Sequence, residues 1–439
     1  MANQVVPIDI VDDTRSLHNI GDFIMSYQPY MNAFLDALVN RIGMVIVTSK
    51  TWDNPWAVFK RGMMDMGETV EEIFVNIADV HSYDPDLAET NVFKREKPDV
   101  RAAFHSMNWQ KFYKVTISND QLRQAFLSWQ GITDLIAKIV DSLYTSMNLD
   151  EYLAMKYMMC RALVNGEVYP VETKPIVGDS ADPQDSVTKF REYTNNLLFL
   201  KSDYNMAGVR NATPIDKQVI IVPNAAEAVI GVDVLANAFN LSQVEYLGRR
   251  IPIDSFTFSP EDEARLAEIF ANDDTYEPIA GADLTALQSI TALKVDEDWW
   301  MVFDLYQNMT QQYNGEGLYW NYWLHTWKIL SVSPFANAIV FTAQNGSITS
   351  VTVTPASANV SQGTSLQLNA TVQGTGIYKK TVSWSISGQT KSGTTIGADN
   401  GILHVAADEP AETVITVTAT AADGKTTKAA TITVKASGE

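Results

Sequence analysis

Residues 315–342, GEGLYWNYWLHTWKILSVSPFANAIVFT, are the most aromatic stretch of the chain. Five of the rings lie within nine positions: Tyr319, Trp320, Tyr322, Trp323 and Trp327. Periodicity alone allows either a helical stripe or a strand with two apolar faces. The aromatic content, two flanking glycines and Pro334 favour a strand over 318–332 that is buried on both sides. At about 3.3 Å per residue this strand would run roughly 50 Å, which indicates an extended spine.

Length and charge divide the chain into unequal parts. The 439 residues are too many for one average domain, so two or three are expected. Residues 343–439 hold six Lys/Arg and six Asp/Glu, so the net charge of −20 lies entirely in residues 1–342. A surface that reads DNA is basic, and this balance argues against such a protein.

Cysteine usage and the first residues predict a reducing compartment. The single cysteine, Cys160, excludes an intrachain disulfide. The N-terminal stretch lacks a basic start followed by a long apolar run, so it does not resemble a signal peptide. No segment approaches the ~18 apolar residues of a membrane span.

Two long segments contrast in their patterns. Residues 48–117 are charged, and their apolar residues are too few and dispersed for a core, so neighbouring chains are expected to hold them. Residues 131–165 carry apolar side chains at helical spacing. This pattern predicts one long helix that starts behind a Thr133 N-cap and stops at Gly166.

The remaining periodic segments predict short elements of both kinds. Helices are expected at Met31–Arg41, Ser186–Leu200 and Val232–Asn240, and strands at Met44–Val47, Val168–Ile176, Gln218–Val222 and Lys294–Leu305. This mixture is an α+β pattern.

The composition changes at 343–347, AQNGS, which is typical of a linker. Beyond it, apolar and polar residues alternate in short runs: 366–372, 382–386, 415–419 and 432–434. Asp399-Asn400-Gly401 and Asp423-Gly424 have the composition of hairpin turns. These runs predict an all-β sandwich that folds on its own core and is carried as an appendage.

No catalytic or ligand-binding pattern stands out. Phosphate-binding glycine loops, zinc-ligand spacing and a nucleophile elbow are all missing from the sequence. His325 is interpreted as a core residue of the aromatic strand, and the tryptophans around it as core rather than a sugar platform. Adjacent acids such as Glu71-Glu72 point to opposite faces of a strand, which does not suit a glycosidase pair. We therefore expect no catalytic, cofactor-binding or metal-binding residues.

Two sets of blocks carry a resemblance to known families. The first set is RIGMVIV (41–47), ETVEEIF (68–74), VFKREKPDV (92–100), VDVLANAFN (232–240), DWWMVFD (298–304), GLYWNYW (317–323) and SPFANA (333–338). In this order they resemble the major capsid (head) protein of phi29-like podoviruses. The second set is VTP (353–355), VSQG (360–363), VSW (382–384) and ITVTA (415–419). It is similar to a bacterial immunoglobulin-like group 2 (BIG2) domain.

The resemblance implies an α+β, HK97-like tailed-phage capsid fold followed by an all-β immunoglobulin-like sandwich. The implied divisions are an N-terminal arm (1–43), an extended loop that reaches over a neighbouring subunit (44–117), a spine helix with peripheral and axial domains (118–342), a linker (343–347) and the BIG2 domain (348–439). The extended loop would supply contacts between subunits. The candidates are Trp52, Trp56, Arg61, Glu71, Glu72, Phe74, Phe93, Lys94 and Arg95.

The resemblance also implies the function. The chain would self-assemble, as hexamers and pentamers, into an icosahedral head shell that encloses the phage double-stranded DNA without sequence-specific binding. Its other implied partners are a scaffolding protein during assembly, a portal at one vertex, and host-surface glycans through the BIG2 domain. Assembly would take place in the host bacterial cytoplasm, and the product would be the virion capsid.

The sequence alone leaves two other classes of protein possible. A bacterial surface adhesin would explain the immunoglobulin-like domain, and a carbohydrate-active protein would explain the tryptophans with an accessory domain. Electron microscopy of the purified protein separates them from a capsid protein, because only the latter forms shells or hexameric sheets.

Overall fold

The structure is a computed structural model that describes residues 52–65, 69–78, 80, 98–118, 129–178, 180–230, 248–317, 319–344 and 346–436, with the backbone alone for 118 and 129–140. The elements predicted at Met31–Arg41, Met44–Val47 and Val232–Asn240 lie outside these residues. The α-helices of the described residues are α1 (Trp129–Val164), α2 (Pro183–Asn196), α3 (Asn224–Val229), α4 (Pro260–Ile269) and α5 (Ala282–Gln288).

Among the described residues up to 342, the strands form three sheets. They are β1 (Lys60–Met63), β2 (Val70–Val75), β3 (Val100–His105), β4 (Trp109–Ser118), β5 (Tyr169–Glu172), β6 (Gln218–Pro223), β7 (Arg249–Ile253), β8 (Ile290–Asp296), β9 (Trp300–Asn314), β10 (Tyr319–Val332) and β11 (Ala338–Thr342). The sheet orders are β1-β9-β10-β4, β5-β11-β8-β6-β7 and β2-β3. The mixture of helices and sheets agrees with the α+β prediction.

The aromatic stretch forms one long strand, β10, as its composition predicts. Burial on both sides is confirmed only for Lys328–Leu330, because Tyr319–Trp323 are half-buried and so are His325 and Trp327. In the half-buried part, the ring of Trp320 lies 5.0 Å from that of Tyr313, and Lys114 lies over the ring of Trp323. Ring contacts therefore replace part of the burial that the composition led us to expect.

Helix α1 is the predicted long helix and spans 36 residues. It begins at Trp129, so the predicted N-cap at Thr133 is wrong: the four residues before Thr133 are themselves helical. Its end at Gly166 is confirmed. Gly166 adopts a φ of +71°, and Glu167 N–H donates to the carbonyl of Ala162 at 3.0 Å, which together close the last turn.

The apolar side of α1 packs into a core with the five-stranded sheet. Met155, Met159 and Leu163 are buried there. Cys160 is also fully buried, and its Sγ donates to the carbonyl of Phe256 at 3.2 Å. These residues recur at helical spacing, so one side of the helix is removed from water.

The five-stranded sheet is buried on both faces. Val219, Ile221 and Val340 face the α1 core, whereas Ile220 and Phe341 face a second core that includes Phe190 of α2. Sheets covered on both faces need nearly continuous apolar runs. Gln218–Val222 was predicted as a buried strand for this reason, and the prediction is confirmed.

The predicted strand Lys294–Leu305 is instead two strands, β8 and β9. The Asp296 side chain accepts a hydrogen bond from Asp298 N–H at 3.0 Å and starts a short 3₁₀ turn over Glu297–Trp299. Trp299 and Trp300 are both buried, with ring centroids 4.8 Å apart. The turn falls at the acidic triplet Asp296-Glu297-Asp298, which separates the apolar residues of β8 from those of β9 and was a turn signal in the sequence.

Residues after 346 form nine strands among the described residues. They are β12 (Ser347–Thr354), β13 (Ser357–Ser361), β14 (Ser365–Gln367), β15 (Asn369–Thr375), β16 (Val382–Ser387), β17 (Thr395–Ile396), β18 (Ile402–His404), β19 (Val414–Ala421) and β20 (Thr427–Lys435). The alternating apolar residues, including Trp384 and Ile415, share one core. Gly401 and Gly424 take positive φ in the β17–β18 and β19–β20 connections, as the predicted turns require.

One residue of the C-terminal region differs from the expectation of a separate appendage. Ile377, between β15 and β16, is 1% exposed and belongs to the same buried cluster as Leu163 and Val340. Chain contacts place Asp53–Phe112, Met147–Asn308 and His325–Glu439 in one compact unit, without a division at 343–347. The described parts of a second unit include 113–118, 129–146, 309–317 and 319–324.

Candidate functional site

Strands β2 and β3 form a two-stranded antiparallel ribbon within the segment predicted to contact other subunits. Val70 pairs with His105 and Val75 with Val100, and the register runs without a break between them. Because side chains alternate along a strand, the pairing gives the ribbon two faces of different character. One face meets the same chain, and the other is exposed.

The inner face of the ribbon is held by the same chain. His105 lies 2.8 Å from Ser331 Oγ and 3.2 Å from a carboxylate oxygen of Glu72. The other oxygen of Glu72 accepts a hydrogen bond from Ser333 Oγ at 2.7 Å. The ring of Phe74 stacks on that of Phe335 with centroids 5.6 Å apart. These contacts fix the ribbon against the chain around Pro334.

The outer face of the ribbon is apolar and exposed. Its members are the cross-strand pairs Glu71 with Phe104, Ile73 with Ala102, and Val75 with Val100. The exposed fractions are 57% for Ile73, 60% for Val75, 50% for Val100 and 70% for Phe104. Five of the six residues are apolar, so this face lacks the polar side chains expected of a strand in water.

The nine predicted contact residues lie in different environments in the structure. Glu71 lies on the outer face of the ribbon, and Glu72 and Phe74 lie on its inner face. Trp52 is exposed. Phe93, Lys94 and Arg95 lie outside the described residues.

Trp56 and Arg61 make contacts within their own chain. Trp56 is fully buried, with its ring 5.1 Å from that of Tyr152 and 5.3 Å from that of Trp300. Arg61 donates to the Asp298 carboxylate at 2.8 Å and to the carbonyl of Trp300 at 3.1 Å. Trp56 therefore has no side-chain surface left for a neighbouring subunit. The hydrogen bonds that Arg61 donates to Asp298 and Trp300 lie within its own subunit.

Four charged side chains form a cluster at β1, the strand that precedes the ribbon in the chain. They come from β1, α1, β9 and β10: Lys60, Glu151, Asp304 and Lys328. Lys60 Nζ lies 3.1 Å from Glu151 and 2.6 Å from Asp304, and Lys328 contacts both carboxylates as well. The second oxygen of Glu151 accepts a hydrogen bond from Asn54 at 2.8 Å. The cluster is neutral overall and ties four elements together.

Titration behaviour in the cluster follows from burial and pairing. Burial disfavours the charge on Lys60, but Glu151 and Asp304 outweigh it and raise the pKa of Lys60 above its ordinary value. Burial likewise opposes ionisation of Asp304, and the two lysines, Lys328 foremost, lower its pKa. Both residues are thus held in the charged state at neutral pH.

The described part of the chain shows no group of side chains suited to hold a metal ion. Among these residues, no three or more His, Cys, Asp or Glu are grouped so that they could hold a metal ion. No helix in the same ranges is long and apolar enough to cross a membrane.

The long helix, the ribbon and the sheets together define an HK97-like capsid fold of tailed phages. The structure is similar to a chain from the head fiber and inner core protein gp22 structure of native bacteriophage P68, with a TM-score of 0.55, 16% identity, and coverage of 69% of this chain and 88% of that one. A chain of the Staphylococcus phage Andhra capsid is similar with a TM-score of 0.53, 16% identity, and coverage of 70% and 88%.

The chain belongs to the Phi29-like phage major capsid protein family, whose sequence model matches residues 11–342. It is 35% identical over 401 residues to the major capsid protein of Bacillus phage B103, covering 90% of this chain and 82% of the relative. It is 33% identical over 418 residues to that of Bacillus phage PZA, covering 94% and 85%. The chain is therefore a phage major capsid protein that forms the capsid shell of the virion. These relatives give no support to the adhesin alternative.

Sequence reasoning found the segment of the ribbon but not its outer face. Glu71, Ile73 and Val75 are spaced two residues apart, so their place on one face of a strand could be predicted from the sequence. Their partners on β3 could not, because β2 and β3 are separated by 24 intervening residues. The four-charge cluster was missed for the same reason.

Proposed function

We propose that the shell is built from hexamers and pentamers in which the outer face of the β2–β3 ribbon lies against a second copy of the chain. The observation that carries this proposal is the row of five exposed apolar side chains on that face. Covering such surface releases roughly 25 cal/mol per Å². Residues 44–117 then act as the extended loop expected from the sequence, with Trp52, Glu71, Phe93, Lys94 and Arg95 as further contact candidates.

A second copy is the partner that best fits this face. A capsid protein meets copies of itself around each subunit, so a self-complementary or repeating contact closes the shell. A two-stranded ribbon is only marginally stable alone in water and needs packing on its faces. The inner face has that packing already, and a neighbouring subunit would supply it to the outer face.

The double substitution Ile73→Asp with Phe104→Asp is expected to reduce the yield of shells at least tenfold. Two carboxylates on the outer face would have to lose water on contact with a neighbour, and none of the six side chains of that face is a cation. Both positions are exposed, so the subunit itself should keep its fold and melting temperature. Sedimentation and electron microscopy of an assembly reaction measure the yield, and thermal melting measures the fold.

The matched control is Ile402→Asp with Val414→Asp, since these exposed apolar residues lie on the C-terminal strands. It should assemble like the unaltered chain. Normal shells from the ribbon variant would reject the proposed contact.

Further partners are proposed from the family resemblance and from the C-terminal core. Assembly in the host cytoplasm would use a scaffolding protein and a portal at one vertex. Mass spectrometry of immature and filled heads tests both, because the scaffolding protein should be present only in the former. Residues 348–439 would serve as a BIG2-like domain, after a linker at 343–347, that contacts host-surface glycans. Glycan-array binding by shells with and without these residues tests that role.

We propose that the shell encloses the packaged DNA and that the subunit does not bind it tightly. The −20 charge repels phosphates, and neutralising them requires stripes of Lys/Arg. Free subunits at micromolar concentration are therefore expected to leave duplex DNA unshifted in a gel at physiological salt. A shift that weakens as salt is raised would contradict this expectation.

A further inference from the structure

We infer that residues 376–381 dock into the capsid-fold part of the same chain and make residues 346–436 a brace that fixes the β2–β3 ribbon. The importance of the brace for assembly rests on the proposed role of the ribbon. Its existence does not, because every contact below lies within one subunit.

The docking segment inserts an apolar side chain into the main core. Ile377 lies in the connection between β15 and β16, outside the core of the C-terminal strands. It is 1% exposed and clusters with core residues of α1 and β11. A connection between strands normally keeps its side chains in water. The burial of Ile377 therefore couples the folding of the C-terminal region to that of the capsid core.

The backbone of the docking segment lies directly against the end of α1. A Cβ atom at Gly166, just past the end of α1, would lie 2.3 Å from the carbonyl oxygen of Tyr378. On the side of the C-terminal region itself, a Cβ atom at Gly346 would lie 2.0 Å from the carbonyl oxygen of Ile377. Only glycine allows such approaches. The docking segment is thus fitted to the end of α1 rather than resting loosely on it.

Lys379 also holds the docking segment in place, through its ammonium group. Lys379 Nζ donates to the carbonyl of Asp203 at 2.7 Å and lies 6.0 Å from the centroid of the Tyr169 ring. Burial lowers the pKa of Lys379, which agrees with its position inside the joint. The apolar and polar contacts together give the segment one orientation.

A second contact reaches the ribbon itself. Arg101, on the inner face of β3, donates to the Asp399 carboxylate at 3.0 Å, and Asp399 lies in the β17–β18 turn. The same guanidinium also donates to the carbonyl of Ala207 in the capsid-fold part. An ion pair this exposed contributes little to stability alone. Its effect is on position, since Arg101 joins the ribbon to both parts of the chain.

The test measures hydrogen exchange of β3 amides in unassembled full-length subunits. Ile377→Ser should release the docking segment, speed exchange in β3 at least tenfold, and separate the unfolding of residues 346–436 from that of the capsid core. Asp399→Ala leaves the core untouched and should speed β3 exchange about two- to fivefold without a change in melting temperature. The control Ile402→Ser, at a position 42% exposed in the same region, should change neither quantity.

The outcomes separate this inference from the proposed subunit contact. Unchanged β3 exchange in Asp399→Ala overturns the brace, even if Ile377→Ser fails to fold. Faster exchange in both variants, together with normal shells from the Ile73→Asp and Phe104→Asp variant, would keep the brace and reject the subunit contact.

Discussion

Glu151→Leu should lower the free energy of unfolding by about 3–5 kcal/mol, the range found when one partner of a buried ion pair is removed. Glu151 faces both Lys60 and Lys328, and the Lys328 side chain is only 1% exposed. Without the carboxylate, two ammonium groups share Asp304 alone, and one buried positive charge is left uncompensated. Urea denaturation followed by circular dichroism measures the loss.

The double variant Glu151→Leu with Lys328→Met tests whether charge balance is the cause. It leaves Lys60 paired with Asp304 and fills the vacated space with apolar atoms, so it should recover most of the lost stability. Glu192→Leu removes a comparable acid from an exposed pair with Lys189 and should change stability by less than about 0.5 kcal/mol. A Glu151→Leu loss as small as the Glu192→Leu loss would show that the cluster is not held by its charges.

Lys294→Met should stabilise the protein at pH 7 by a few kcal/mol, on the scale of 1.36 kcal/mol per pKa unit. Lys294 lies on β8 with its side chain fully buried, where its ammonium donates to the neutral hydroxyl of Thr194, and burial lowers its pKa from 10.5 to about 7. Between these two pKa values the unfolded chain binds more protons than the folded one. Stability therefore rises with pH across that window, and the full cost of the buried ammonium applies below pH 7.

Unfolding measured between pH 6.5 and 10 separates this mechanism from a simple gain in packing. The methionine variant should show a shallower rise in stability with pH than the unaltered chain. Lys189→Met, at an exposed position, should follow the unaltered chain at every pH. Parallel curves for Lys294→Met and the unaltered chain would mean that Lys294 does not titrate as its burial predicts.

Local patterns account for the parts of the fold that the sequence predicts well. Helix α1 and strand β10 are long, and their apolar residues repeat within a few positions, so the signal lies inside each segment. The same applies to the alternating strands around Trp384 and Ile415. The error at Thr133 arises because a residue type favoured at N-caps lies inside the helix, and the error at Lys294–Leu305 arises because the acidic residues 296–298 form a turn between two strands.

Long-range pairings account for what the sequence leaves undetermined. The four-charge cluster joins side chains at positions 60, 151, 304 and 328, and none of them is unusual in its own segment. The outer face of the ribbon depends on a register between β2 and β3. Ile377 is a single apolar residue in a connection, and its burial follows only from where that connection meets α1.

Because the chain has a single cysteine and it is buried, the protein can be labelled chemically at one introduced position. Burial raises the pKa of Cys160 to about 12, and alkylating reagents attack only thiolates that they can reach. The folded subunit therefore offers them no target at neutral pH. A cysteine introduced by Lys425→Cys, in the exposed β19–β20 turn, would be the sole reactive thiol of each copy. Every subunit of a particle could then carry one dye or one antigen at the same residue.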